Sequence, residues 1–178
     1  MKRNIFLLLS FLIFFSCKEK EARRPVTQRT ATLLSETLDQ KKKLVALENA
    51  AISNYIAQDS LTDYKVASNG FWYTYITQNQ LEVDTPKKGD EVEISYNITD
   101  LNGTVFYSKE ALGIKKYVVD KEDLITGLQD GIKLMKPGET ITFVIPSYRA
   151  FGLIGDQNKI GVNQTIKSTV TLISIKQK

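Results

Sequence analysis

The chain has 178 residues, of which 24 are Lys or Arg and 20 are Asp or Glu, and it contains no histidine and one cysteine. Without histidine there is no Ser–His or Cys–His nucleophilic pair and no imidazole acid, base or metal ligand. One cysteine cannot form an internal disulfide or supply the ligands of a structural zinc or iron–sulfur site. We therefore expect no metal and no cofactor. A composition of 42% hydrophobic and 25% charged residues is typical of a soluble globular protein.

The first seventeen residues predict export and lipid anchoring. Residues 1–4 are basic and polar, and residues 5–15 are almost entirely apolar, which is too short for a bilayer that needs about 20 residues. This pattern predicts a cleaved signal peptide over residues 1–16. The motif Phe14-Phe15-Ser16-Cys17 resembles a bacterial lipobox, which implies that Cys17 becomes the first mature residue and carries palmitate-type acyl chains that hold it on a membrane. The alternative is a free Cys17 in an uncleaved segment.

The residue after Cys17 and the net charge indicate location and partners. Lys18 follows the cysteine, and the absence of Asp there favours the outer membrane, facing the periplasm of the bacterial cell envelope. Loss of residues 1–16 removes Lys2 and Arg3 and lowers the net charge from +4 to +2. The lysines at 41–43 are best interpreted as a solvated helix face, so no nucleic-acid partner is expected.

The mature chain is predicted to begin with a lipid-anchored tether over residues 17–31 and an amphipathic helix over residues 32–60. The helical stripe has apolar residues at spacings of four and seven: Leu34, Leu38, Val45, Ile52 and Ile56. Two interpretations remain open. The stripe packs on the chain's own domain, or the helix from Thr32 to Ile56 binds a partner, which includes a second copy in a homodimer.

Beyond the helix the pattern changes to strands. Residues 61–81 are predicted as a connecting strand region, with an aromatic and β-branched run at 71–76. Residues 91–98 alternate between polar and apolar, as in a strand with one wet face. Asn102-Gly103 indicates a hairpin turn, and residues 116–119 a short strand.

The last third of the chain is predicted to contain one short helix and two strands. The helix has Leu124, Leu128 and Ile132 on one face and is followed by Pro137-Gly138. Residues 141–145 and 166–175 are strand-like, and a polar loop over residues 152–163 separates them. The predicted fold is therefore α+β, an antiparallel sheet with one short helix against it.

Several motifs over residues 82–178 together resemble the FKBP-type peptidyl-prolyl isomerases. They are Lys88-Gly89-Asp90 before Val92-Glu93-Ile94-Ser95-Tyr96, Asn102-Gly103-Thr104-Val105-Phe106, Leu124-Ile125-Thr126-Gly127-Leu128 with Gly131-Ile132, Met135-Lys136-Pro137-Gly138-Glu139, and Ile145-Pro146 with Ala150-Phe151-Gly152. The lipobox and the helix over residues 32–60, in front of this region, further resemble the gliding-motility-associated lipoproteins of the Bacteroidetes.

The resemblance implies a strongly bent antiparallel sheet wrapped on the short helix, with a substrate pocket between them. It also implies a membrane-anchored peptidyl-prolyl cis-trans isomerase that assists folding of exported or cell-surface proteins through proline-containing segments. The residues that it assigns to catalysis are Tyr96, Phe106, Ile125 and Phe151. The residues that it assigns to substrate binding are Tyr117, Leu124, Leu128 and Ile160.

The sequence departs from the family pattern at two positions of this site. Tyr107 stands where many members have Asp, and Phe151 stands where many have Tyr. Loss of one hydrogen bond costs about 0.5–1.5 kcal/mol, so the departures predict reduced activity rather than its abolition. The alternative function is a non-catalytic FKBP-like peptide-binding or chaperone module.

Overall fold

The computed structural model describes residues 27–178, with side chains from Leu34 onward. The predicted signal peptide over residues 1–16, the lipidation site Cys17 and most of the predicted tether lie outside the described residues. The chain divides into two compact units, one up to Gln40 and one from Lys41 to Lys178. No helix within residues 27–178 is long and apolar enough to cross a membrane.

Helix α1 (Thr27–Gln58) is longer than the sequence predicted, because its first residues fall within the predicted tether. Its apolar stripe is not uniformly covered. Leu34, Leu38, Leu44 and Leu47 are exposed, whereas Ile52 has no accessible surface. The second part of the helix therefore contributes to the core of the larger unit, as one of the two open interpretations holds.

The remaining chain forms one eight-stranded sheet with two short α-helices. The strands are β1 (Lys65–Ala67), β2 (Phe71–Thr77), β3 (Glu91–Tyr96), β4 (Ile98–Thr99), β5 (Val105–Tyr107), β6 (Ile114–Val118), β7 (Thr140–Ile145) and β8 (Ile166–Lys176). The helices are α2 (Lys109–Leu112) and α3 (Thr126–Ile132), and a 3-10 turn covers Ser147–Arg149. The α+β prediction is confirmed.

The strand order is β1-β2-β7-β8-β3-β6, with β4 pairing to β5 and β8. Every pairing is antiparallel. Strands β1 and β2 lie in the predicted connecting region over residues 61–81, so this region is part of the sheet. The long strand β8 holds the centre, with β7 on one side and β3 and β4 on the other.

The strand predicted over residues 91–98 breaks at Asn97 into β3 and β4. The Asn97 side-chain Oδ1 accepts a hydrogen bond from the Thr169 N–H at 2.8 Å. The backbone C=O of Asn97 accepts one from the Ser168 hydroxyl at 2.6 Å. The Asn97 side chain thus takes the place of a backbone group in pairing with β8, and the regular pairing of β3 ends there. The predicted turn follows, where the Asp100 N–H donates to the Thr104 C=O at 2.9 Å and Gly103 has φ of +94°.

Helix α3 packs closely on β7 because two glycines face the strand. A Cβ on Gly127 would lie 2.5 Å from Ile145 Cγ2, and one on Gly131 would lie 2.7 Å from Phe143 Cε1. These glycines are four residues apart and therefore share one helix face. The helix also ends at Ile132, earlier than the predicted stop at Pro137.

The core includes the buried face of α3 and the buried face of the sheet. Alternate residues of β3 point into it, with Val92, Ile94 and Tyr96 buried. The largest side chains without accessible surface in this core are Phe71, Ile94, Tyr117, Leu128, Ile132, Met135, Ile141, Phe143, Ile145, Ile166 and Leu172.

Candidate active site

The residues assigned to the pocket belong to the hydrophobic core or pack against it. Tyr96, Leu128 and Ile160 belong to the buried cluster, and Phe106, Leu124, Ile125 and Phe151 pack against it while remaining partly exposed. They come from β3, β5, the start of α3 and the segment that follows β7. All eight predicted site residues therefore belong to one hydrophobic cluster or border it, and Tyr117 and Leu128 are fully buried in it.

Two hydrogen-bond donors of this site have no partner among the described residues. Neither the Tyr96 hydroxyl nor the Ile125 backbone N–H donates to another described residue. Burial raises the pKa of Tyr96, so its hydroxyl is protonated at neutral pH. Ile125 is the N-cap of α3, and its C=O accepts bonds from the Leu128 and Gln129 N–H groups at 2.8 and 2.9 Å. Because the helix starts there, the Ile125 N–H is directed away from the helix ladder.

The segment that carries Phe151 is organised by Ser147. The Ser147 C=O accepts bonds from the N–H groups of Ala150 and Gly152, at 2.9 and 2.8 Å, so Phe151 is flanked by two residues held to one carbonyl. Farther on, the Asn163 N–H donates to the Gly152 C=O at 2.8 Å and closes the loop. This segment, residues 146–165, is called the 146–165 loop below.

Asp156 forms the centre of the far part of this loop. Its Oδ1 accepts the N–H groups of Asn158, Lys159 and Ile160 at 2.9, 2.9 and 2.7 Å. Its Oδ2 accepts the Tyr107 hydroxyl at 2.5 Å. A carboxylate in the loop is thereby tied to the β5 residue that stands where many relatives have Asp.

The ionisation of this pair follows from its hydrogen bonds. Burial alone would raise the pKa of the Asp156 carboxyl, but the bonds from Tyr107 and the three backbone N–H groups outweigh it, and the pKa is lowered. The bond to Asp156, together with burial, raises the pKa of Tyr107. The Lys159 ammonium lies 5.0 Å from the centre of the Tyr107 ring, a cation–π distance.

Tyr117 is placed differently from the other predicted site residues. It has no accessible surface, and its hydroxyl accepts the Asp120 N–H at 3.1 Å. Leu128 likewise has no accessible surface. Neither side chain is accessible from the surface as positioned, and direct contact of either with substrate stays a prediction.

Two contributors to the site were not predicted from the sequence. Asp156 and Glu48 are isolated charged residues in sequence, and they reach the site only through contacts 49 and 99 residues away. No local spacing distinguishes either from a solvated carboxylate. Within residues 27–178, no group of acidic or cysteine side chains could hold a metal ion.

Comparison with known proteins shows which family this chain resembles. A family model described as FKBP-type peptidyl-prolyl cis-trans isomerase matches residues 82–173. Peptidyl-prolyl cis-trans isomerase Mip of Coxiella burnetii is 32% identical over 114 residues, which are 64% of this chain and 48% of that protein. The probable FKBP-type isomerase FkpA of Neisseria meningitidis is 33% identical over 128 residues, 72% of this chain and 43% of that protein. The outer membrane protein MIP of Legionella longbeachae is 34% identical over 92 residues, 52% and 39% of the two chains.

Solved structures show the same fold. FkpA from Escherichia coli matches with a TM-score of 0.62 at 23% identity, over 99% of this chain and 82% of that one. A peptidyl-prolyl cis-trans isomerase from Pseudomonas syringae matches with a TM-score of 0.61 at 21% identity, over 74% and 95%. The chain spans less than half of the length of the three sequence relatives above. The family model matches more than half of the residues of this chain, and the chain therefore belongs to the FKBP-type peptidyl-prolyl cis-trans isomerase family.

Proposed function

We propose that this protein is a peptidyl-prolyl cis-trans isomerase that acts on proline-containing polypeptides. The observation that carries the proposal is a cluster of apolar side chains around two donors, the Ile125 N–H and the Tyr96 hydroxyl, that donate to no other described residue. Rotation about an X–Pro bond crosses a barrier of about 18–20 kcal/mol because amide resonance is lost. The planar amide is the more polar species, so removing water favours the twisted transition state.

In this mechanism the side chains exclude water and the backbone holds the peptide. Phe106, Phe151 and Ile160 line the pocket for the proline ring, and Leu124 extends its wall. The Ile125 N–H donates to a carbonyl beside the proline. No covalent bond to the protein forms, which suits a chain without histidine.

The test is an isomerisation assay on a proline peptide, using the full chain purified in detergent. We expect Phe106→Ala to lower kcat/KM by at least about tenfold, since a partly buried aromatic side chain assigned to the pocket is lost. Val105→Ala is the matched control, because Val105 precedes Phe106 on β5 and is 56% exposed. A wild-type rate equal to the uncatalysed rate in a folded sample would reject the isomerase.

A second candidate is a non-catalytic peptide-binding or chaperone module. Phe151 favours it, because this side chain offers no hydroxyl to a bound peptide. Tyr107 favours it too, because its hydroxyl is already bonded to Asp156. Binding of the proline peptide without acceleration of its isomerisation would select this function.

We also propose that Cys17 carries the lipid anchor, on the outer membrane and facing the periplasm. The proposal is supported by the signal-like residues 1–17 and by the similarity to the outer membrane protein MIP of Legionella longbeachae. The substrates would then be exported or cell-surface proteins, among them components of a gliding machinery. Labelling cells with a palmitate analogue tests the anchor: we expect label on the wild type and none on Cys17→Ser, and equal labelling would reject it.

A further inference from the structure

The carboxylate of Glu48 joins helix α1 to the 146–165 loop of the candidate active site. Glu48 Oε1 accepts the Ser147 backbone N–H at 2.6 Å and the Thr165 hydroxyl at 2.5 Å, and Oε2 accepts the Ser147 hydroxyl at 2.8 Å. Ser147 and Thr165 are 4% and 9% exposed. Their polar groups are therefore shielded from water, and Glu48 is the acceptor that satisfies them.

Ser147 and Thr165 are close to the two ends of the 146–165 loop. One carboxylate thus holds the start and the end of the loop together, although Glu48 is far from both in sequence. The contact continues inward, because the Ser147 C=O accepts the N–H groups on either side of Phe151. A displacement of Ser147 would therefore move the backbone that carries Phe151.

Neighbouring contacts fix the direction of approach of the helix. The Tyr148 hydroxyl donates to Asn49 Oδ1 at 3.2 Å, and Lys167 Nζ donates to the Tyr55 hydroxyl at 3.2 Å. Ile52, one turn after Glu48, has no accessible surface. The part of α1 around Glu48 is therefore packed against the rest of the larger unit, and this packing holds the carboxylate in place.

We propose that Glu48 is a positioning residue of the isomerase site: it clamps the ends of the 146–165 loop and so sets the place of Phe151 against the pocket. The proposal rests on the proposed function for its effect on turnover. It does not depend on that function for its effect on the loop, which can be measured without substrate. Glu48 itself does not contact the peptide.

The experiment combines two readouts on the full chain in detergent: kcat/KM for a proline peptide, and hydrogen–deuterium exchange along the chain. We expect Glu48→Ala to lower kcat/KM about three- to tenfold, since the hydrogen bonds that place the loop are lost. Exchange should rise in residues 147–165 and stay unchanged in β3 and in the part of β8 that pairs with it. Glu36→Ala is the matched control, a Glu of the same helix on an exposed position, and should change neither readout.

Rescue by a conservative variant separates positioning from a role of the charge. In Glu48→Gln the amide oxygen still accepts the Ser147 N–H and the Thr165 hydroxyl, and the amide nitrogen can donate to the Ser147 hydroxyl. We therefore expect Glu48→Gln to recover most of the kcat/KM and exchange protection lost in Glu48→Ala. Thr165→Val, which removes one of the three bonds, should give a smaller change in the same segment and serves if Glu48→Ala does not fold.

The outcomes are distinguishable. Unchanged exchange over residues 147–165 in Glu48→Ala overturns the proposal, and so does a uniform rise in exchange over the whole sheet, which indicates general destabilisation. Failure of rescue by Glu48→Gln overturns the positioning role. A wild type without isomerase activity rejects the proposed function instead, and the loop clamp is then judged by exchange alone.

Discussion

Tyr107 and Phe151 are the two positions at which this chain departs from the family pattern, and the structure connects both to the same loop. Phe151 lies between two residues bonded to Ser147. Tyr107 reaches the loop from β5 through Asp156. The hydroxyl lost at one position is thus not replaced by the other, because the Tyr107 hydroxyl is engaged in holding the loop.

Phe151→Tyr is expected to raise the isomerase activity. The added hydroxyl can donate to a carbonyl of the bound peptide, and one such bond is worth about 0.5–1.5 kcal/mol, or roughly two- to tenfold in kcat/KM. Phe151 is only partly buried, so the hydroxyl has room at the site's surface. The measurement is kcat/KM beside the thermal midpoint. An unchanged kcat/KM in an equally stable variant would argue that the pocket has another use.

Asp156→Asn is expected to destabilise the protein in a pH-dependent way. The folded pKa of Asp156 lies below its ordinary value, which for Asp is about 3.9. A lowered pKa contributes stability above the ordinary value, and this contribution is lost as the pH falls through the folded pKa. The free energy of unfolding of the wild type should therefore exceed that of Asp156→Asn at neutral pH, and the difference should shrink below about pH 4.

Denaturant titrations of both proteins from pH 7 to pH 2 measure this difference. Asp123→Asn is a suitable control, because Asp123 is exposed in the loop before α3. A difference between wild type and Asp156→Asn that is constant across this range would contradict the linkage.

At the level of the elements, α3 and β7 pack closely against each other. Gly127 and Gly131 let the helix backbone approach Ile145 and Phe143, and this approach places the start of α3, with its unpaired Ile125 N–H, at the pocket. The glycines were visible in the sequence as part of a family motif. The reason why these positions require glycine was not visible, because it depends on the distance between two elements, and local sequence patterns do not contain that distance.

Gly131→Ala is expected to lower the free energy of unfolding by about 1–3 kcal/mol, because the new Cβ would overlap the ring of Phe143 in a filled core. The effect would occur although alanine is a better helix former by about 1 kcal/mol. Chemical denaturation measures it. Gly161→Ala is the control: its Cβ would meet nothing within 4 Å, so we expect little change. Equal stability of the two variants would refute the close packing.

At the level of the whole molecule, helix α1 contains residues of both compact units of the chain. Its residues from Lys41 onward belong to the larger unit, and there Ile52 and Glu48 contact the domain. Leu34 and Leu38, in the smaller unit, are 60% and 48% exposed. Exposed leucines at a helical spacing favour association, and we propose that they form a homodimer interface.

The double variant Leu34→Lys and Leu38→Lys is expected to convert a dimer into a monomer, because charge on the apolar face opposes its burial. Sedimentation of both proteins, with the lipid-anchor segment removed by cleavage after residue 17, measures the mass. Removing the whole helix would be a poor test, since Ile52 and Glu48 would be lost as well. A wild-type monomer, or a variant that remains dimeric, would reject this interface.

The elements of the domain were largely predictable because they depend on local periodicity. Alternation over residues 91–98, the Asn102-Gly103 turn and the β-branched run before the C-terminus all appear where expected, as do β2 and β7. The break at Asn97 and the helix α2 were missed. Each involves a hydrogen bond between a side chain and the backbone. Asn97 Oδ1 accepts the Thr169 N–H, and Ser108 Oγ accepts the Ala111 N–H at the start of α2.

The sequence by itself determined the absence of histidine chemistry, a single cysteine after a signal-like segment, the α+β class and the family. Those properties follow from composition and short-range order. Only the tertiary structure decided that Tyr117 is a core residue, that Tyr107 is bonded to Asp156 and that Glu48 joins both ends of the 146–165 loop. These contacts join residues far apart in the chain, and whether a carboxylate is solvated or clamps a loop depends on what the fold places beside it.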